Sequence, residues 1–209
     1  MDLDHFHPWN DEQGESPFVW SVIGAIGEVT GLEVTTAVTC PTVRIHPAII
    51  AQAAATSALM CRGGFRLGVG SGEALNEHVV GARWPVAEVR LEMLEEAIDI
   101  SRALGTGERV NHHGTHYTVE DARLYTRPAD PVPILVSAFG PKALSLAARV
   151  GDGPSREDSI KTVHRLWANA GVPGELAQVL PSPKHFEQVA ELVGPEIAEV
   201  LPALREVGS

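Results

Sequence analysis

A chain of 209 residues with 27 acidic and 16 basic side chains, net charge −11, has room for one sizeable core. It carries no basic stripe of the kind nucleic-acid binding needs. With 44% apolar residues and a mean hydropathy of +0.02, it reads as a soluble protein with no stretch long enough to cross a bilayer and no signal-peptide pattern.

Residues 17–29 carry a helical stripe of Phe18, Val19, Val22, Ile23 and Ile26. After Gly31, Leu32, Val34, Thr36 and Val38 alternate with Glu33, Thr35 and Ala37, which predicts a strand ending at Cys40-Pro41-Thr42. Pro47 suits the first turn of a helix running to Met60. A strand over 65–69 follows, and then a helix over 87–104 with Leu91, Leu94, Ile98 and Leu104 on one face. Residues 109–126 break the rhythm and predict a hairpin insert. Residues 132–138 read as a buried strand, turned by Phe139-Gly140 into a helix that Pro141 opens. Beyond Gly153 the pattern predicts helices alone, over 158–170, 174–180, 184–193 and 195–206. The order helix, strand, helix, strand, helix predicts a parallel α/β sheet with covering helices.

The chemistry concentrates in two patches. The strand Phe65–Val69 breaks into Gly68, Gly70 and Gly72, and Glu73 and Asn76 follow at once. This order puts an acid at the carboxyl end of a buried strand, where parallel α/β proteins hold ligands. The spacing departs from G-x-G-x-x-G, since the third glycine comes one position early, so a Rossmann site is set aside. The second patch is Asp4-His5-Phe6-His7-Pro8-Trp9. Cys40 and Cys61 lack metal-ligand spacing, which predicts reduced thiols in a cytoplasmic setting. His112-His113-Gly114-Thr115-His116 reads as surface histidines on a hairpin, and no metal site is assigned.

Taken in order, these pieces resemble the luciferase-like superfamily of flavin and deazaflavin enzymes. The matching segments are 4–9, Thr36–Thr42, His46–Ala53, Gly68–Glu77, Trp84-Pro85 and Ser137–Lys142 leading to Gly151-Asp152-Gly153. The branch most similar to them is the coenzyme F420-dependent, glucose-6-phosphate-dehydrogenase-like one. The resemblance implies a (β/α)8 barrel. It also implies that this chain is a shortened relative, beginning in the exit loop of the second strand. A closed barrel takes about 200–250 residues, and the strands counted here are three, with a short fourth at the N-terminus. The expectation is therefore an incomplete TIM-type barrel over residues 1–153 with a helical tail, 154–209, packed on it. An open barrel leaves apolar strand edges unpaired, which favours a homo-oligomer.

The same resemblance implies roles. His5 would be the base that takes a substrate hydroxyl proton while the carbon gives up a hydride. Trp9 would shield the ring or stabilise a charged intermediate, and Glu73 would be a proton donor whose pKa burial raises. Asp4 would help hold the cofactor. Ala37-Val38 matches a bulge behind the ring, often a non-proline cis peptide. Gly70 and Gly72 would let ring and phosphate approach the backbone, and Cys40 stands where several relatives carry a hydroxyl. Asn76 would bond the cofactor tail or cap the next helix. The Ala138-Phe139-Gly140 turn would start a phosphate-binding helix.

The function so implied is hydride transfer between a small organic substrate and F420. Two alternatives stand beside it: an FMN-dependent monooxygenase of the same superfamily, and a non-catalytic barrel relative that self-associates. Gly105 weighs toward the last, since relatives carry a tryptophan there.

Overall fold

The computed structural model describes residues 4–138 and 140–153. The chain divides into two compact units, one of residues 1–138 with 145–153 and the other of 139–144 with 154–209. The first holds the features below. The helices expected after Gly153, and the strand stub before Asp4, lie outside the described residues; from Asp4 to Trp9 the chain is loop.

Helix α1 (Val19–Val29) buries Val19, Ile23 and Gly27, three to four residues apart as the stripe predicts. Helix α2 (Pro47–Met60) has Pro47 in its first turn, and its cap is His46, whose Nδ1 accepts from Ala48 N–H at 3.2 Å. Strand β1 (Val34–Thr35) pairs in parallel with β2 (Phe65–Val69), which pairs in parallel with β5 (Ile134–Val136). Between β2 and β5 come the single turn α3 (Ala74–Glu77), the long α4 (Ala87–Gly105) and an antiparallel hairpin of β3 (Val110–His113) and β4 (Thr118–Ala122). Helix α5 (Pro141–Val150) then returns Leu146 and Val150 to the core.

Ile23, Ile50, Leu67, Val69, Leu94, Ile98 and Ile134 join in one apolar cluster between the sheet and its helices. A second cluster seats Tyr117 and Val119 of the hairpin on Ala51 of α2 and on Ala97, Ile100 and Leu104 of α4. The insert is thus part of the packing, and Tyr117 Oη donates to the carbonyl of Thr42 at 2.9 Å.

The first strand is shorter than its alternation predicts. Leu32 is exposed, and the ladder stops after Thr35. The reason lies at Gly68, where a Cβ would run into the carbonyl of Thr36. The hydroxyl of Thr36 accepts from Gly68 N–H at 2.9 Å and donates to Gly68 C=O at 2.8 Å, replacing strand bonds by side-chain ones. The Ala37–Val38 peptide is cis, at the place the resemblance indicated, and Thr39 then bridges to Val69.

Glu96 on α4 fastens the hairpin. Its carboxylate accepts from the backbone N–H of His116 (3.0 Å) and Tyr117 (2.9 Å) and bonds His112 Nε2 at 2.9 Å. Burial pushes this carboxyl up, but the bonds from His112, Tyr117 and His116 outweigh it and hold the pKa below the ordinary 4.5. A depressed folded-state pKa stabilises above the unfolded value, and that contribution is lost as pH falls through the folded one. Hairpin docking should therefore weaken below pH 4.5, seen as faster amide exchange at His116 and Tyr117. Glu96→Ala should produce the same effect at neutral pH, with a loss of about 1–3 kcal/mol in urea unfolding.

Candidate functional site

The loop 4–9, the turn after β1 and the short helix α3 meet around one guanidinium. Arg44 Nη2 bonds Asp4 Oδ1 at 2.8 Å and the Asp4 carbonyl at 2.7 Å. Its Nε lies 3.4 Å from Glu77 Oε1, and its backbone N–H donates to Glu77 Oε2 at 2.8 Å. The three side chains are 9%, 2% and 1% exposed for Arg44, Asp4 and Glu77. One cation thus faces two buried carboxylates. Burial pushes both carboxyls above their usual range, against the pull of Arg44. Burial pulls Arg44 down, yet Asp4 first and Glu77 next hold its pKa above the ordinary value.

Asn76 completes the clamp. Its Oδ1 accepts from the backbone N–H of Phe6 (3.0 Å) and His7 (3.1 Å). It is buried and fixes the loop; of its two expected uses, bonding the cofactor tail or capping the next helix, the cap bond is not made. Held this way, His5 packs edge-on against Trp9 with ring centroids 5.0 Å apart. Its Nε2 stands 4.0 Å from Glu73 Oε2. The imidazole, indole and carboxylate that the sequence singled out are gathered at one place.

The expected burial of Glu73 needs correction. Glu73 is not buried: its side chain is 51% exposed and makes no cap bond. Asp4 is engaged by Arg44, which leaves only Oδ2 without a partner. Thr39 Oγ1 is likewise buried, and its hydroxyl faces Asp4 and favours the charged carboxylate.

The remaining expected residues form the floor. A Cβ on Gly70 would come within 2.7 Å of Val38 Cγ2 and 3.8 Å of Ser137 Cβ, so Val38 of the cis pair lies directly over bare backbone. Gly72, at φ +77°, presses on the side chain of Cys40, where a Cβ would clash with the sulfur. Cys40 Sγ is 2.9 Å from Thr42 Oγ1, and burial, then the nearby Glu77, pushes the thiol up to about 12. It is a neutral thiol. Ala37 is exposed, and Ala138 is half-buried one residue after Ser137. Phe139 lies outside the described residues, and Gly140 has φ +105° in the second unit.

Arg44 and Glu77 are the pair at this candidate site that the sequence reading missed. Glu77 sat inside the quoted glycine block, but its partner lies 33 positions away across the sheet, and no local pattern links them.

Residues 4–155 match the family model of luciferase-like monooxygenases. The chain is similar to the F420-dependent glucose-6-phosphate dehydrogenases of Microbacterium testaceum (46% identity over 151 residues) and Segniliparus rotundus (45% over 152). Each alignment covers 72% of this chain and 45% of the relative, so the chain spans about half the length of the curated relatives it matches. Among solved structures, an F420-dependent secondary alcohol dehydrogenase in complex with an F420–acetone adduct superposes with a TM-score of 0.69 at 30% identity. That match covers 94% of this chain and 73% of the other. The coenzyme F420-dependent tetrahydromethanopterin reductase of Methanopyrus kandleri shares the fold at 20% identity, with a TM-score of 0.59 over 66% of this chain and 44% of that one.

Arg44→Met should strand two buried carboxylates and cost about 3–5 kcal/mol, measured by urea unfolding. Replacing Asp4, Arg44 and Glu77 together by apolar residues of similar volume should recover most of that loss.

Proposed function

The chain belongs to the luciferase-like monooxygenase family, and from that premise we propose that it binds a deazaflavin of the F420 type and moves a hydride between it and a small hydroxyl-bearing substrate. What carries the reading is the set of relatives about 45% identical that are named F420-dependent dehydrogenases. The F420-bound alcohol dehydrogenase at 30% identity supports it.

The residues present fit such a group. Asp4 Oδ2 is buried without a close protein donor, and an N–H on a ring edge would supply one; Thr39 Oγ1, buried beside it, is itself a hydroxyl donor. Bare backbone at Gly70 and Gly72, under Val38 and beside Cys40, leaves no side chain of its own in the floor. When bound, the deazaflavin supplies a carbon that accepts or returns a hydride.

The protein's share is proton handling and placement. His5 holds a ring nitrogen for the substrate hydroxyl proton and Trp9 limits its swing. Glu73, facing His5 across 4.0 Å, exchanges its proton with solvent through its exposed side. The Arg44 clamp and Asn76 keep His5 at the strand end. Exposed Phe18, Val29 and Leu32 around α1 support the companion reading that copies of the chain associate.

Fluorescence titration with F420 and with FMN tests the coenzyme. Saturable F420 binding, tighter than FMN, is expected, and a preference for FMN would overturn the reading. With glucose 6-phosphate and 2-propanol as trial substrates, His5→Ala should lower hydride transfer about 10²–10⁴-fold while F420 still binds.

A further inference from the structure

A cavity of about 320 Å³ lies away from the His5–Glu73 cluster, between the helices and the start of β5. Ala51 and Ala54 of α2, Leu67 of β2, Ile134 of β5, and Leu124 and Val132 make its apolar wall. This volume is at the lower end of small-molecule sites.

Two glycines shape it. Gly105, the last residue of α4, would place a Cβ in open space, with nothing within 4 Å, and its φ is not in the left-handed region. Neither backbone geometry nor crowding therefore requires glycine there, and glycine weakens a helix. Its effect is to leave the cavity wall open. Gly107, at φ +79°, does the opposite: it sits against Arg127, and a Cβ would come within 2.9 Å of the guanidinium carbon. Bare backbone at that point lets Arg127 lie along the cavity.

The charges lining the cavity are unequal. Asp152 is taken up by Arg102 at 2.6 Å and by Ile134 N–H at 2.9 Å. Arg127 also lines the cavity. Its Nη1 donates to Pro128 C=O at 3.1 Å, and among the described residues it has no carboxylate partner. An apolar chamber with one uncompensated guanidinium selects a ligand with an apolar body and an anionic end.

We propose that this cavity is a binding site for a medium-chain carboxylic acid, with its carboxylate on Arg127 and its chain over Ala54 and Leu124. At ~30 Å³ per non-hydrogen atom, the space a water takes in the liquid, the volume holds roughly ten such atoms, about the size of octanoate. The site is independent of the coenzyme reading, and its test uses neither coenzyme nor turnover.

Titration calorimetry of the full chain with octanoate and with 1-octanol decides it. One saturable octanoate site is expected. Arg127→Gln should weaken octanoate about ten-fold and leave octanol nearly unchanged, because only the charged contact is lost. Gly105→Leu should fill the chamber and abolish binding of both, with a Tm at or above that of the parent. Absence of saturable octanoate binding, or equal affinity in Gly105→Leu, overturns the proposal. Should Gly105→Leu fail to fold, NMR contacts between octanoate methylenes and the Leu124 and Val132 methyls decide instead, and their absence has the same force.

Discussion

One guanidinium shared by two buried carboxylates holds the candidate site together. Arg44 reaches Asp4 in the N-terminal loop and Glu77 in the turn after β2, joining segments that share no strand pairing. The sheet places the end of β2, and this clamp and the Asn76 carbonyl bring His5 toward it, with Ser16 Oγ donating to the His5 carbonyl at 2.7 Å. Such an arrangement adds little net stability, because desolvating three charges offsets much of their attraction. Its value is in specifying one geometry. Desolvation lifts both carboxyls against the pull of Arg44, and only at Glu77 does the other acid add to the lift, as the smallest contribution.

The architecture was legible where one residue decides one local event. Pro47 starts α2, the spacing of Val19 and Ile23 buries one face of α1, and the run at 65–69 forms the central strand. The hairpin could be read from its broken rhythm. Alternation misled at residues 32–38, because Thr36 spends its hydroxyl on Gly68 and ends the ladder, a bond across 32 positions. The same limit applies to the site. His5, Trp9 and Glu73 stood out as chemistry, and they meet. The burial of Glu73 was expected from its role, and the exposed turn at Gly72-Glu73 does not provide it. Arg44 and Glu77 were silent because a buried ion pair is a relation between distant positions.

Glycine acts in three distinct ways here. At Gly68 it admits a carbonyl, at Gly72 a sulfur, and at Gly107 a guanidinium. At Gly68 the obstacle is fixed backbone, and at Gly72 and Gly107 the positive φ also disfavours a side chain. Gly105 has no such neighbour, although it ends a helix and its φ is not left-handed, and this contrast draws attention to the chamber beside it.

The bond from Tyr117 Oη to the Thr42 carbonyl has a consequence for how this chain could be shortened or recombined. Thr42 is two residues from Arg44, so the tip of an apparent surface ornament is stitched to the turn that carries the clamp. Excising β3 and β4 would do more than trim an accessory. It would wet the flank of Ala97 and Ile100, orphan a backbone oxygen, and slacken the seam beside the loop that carries His5. Grafting this sector onto a foreign scaffold therefore means carrying the hairpin along.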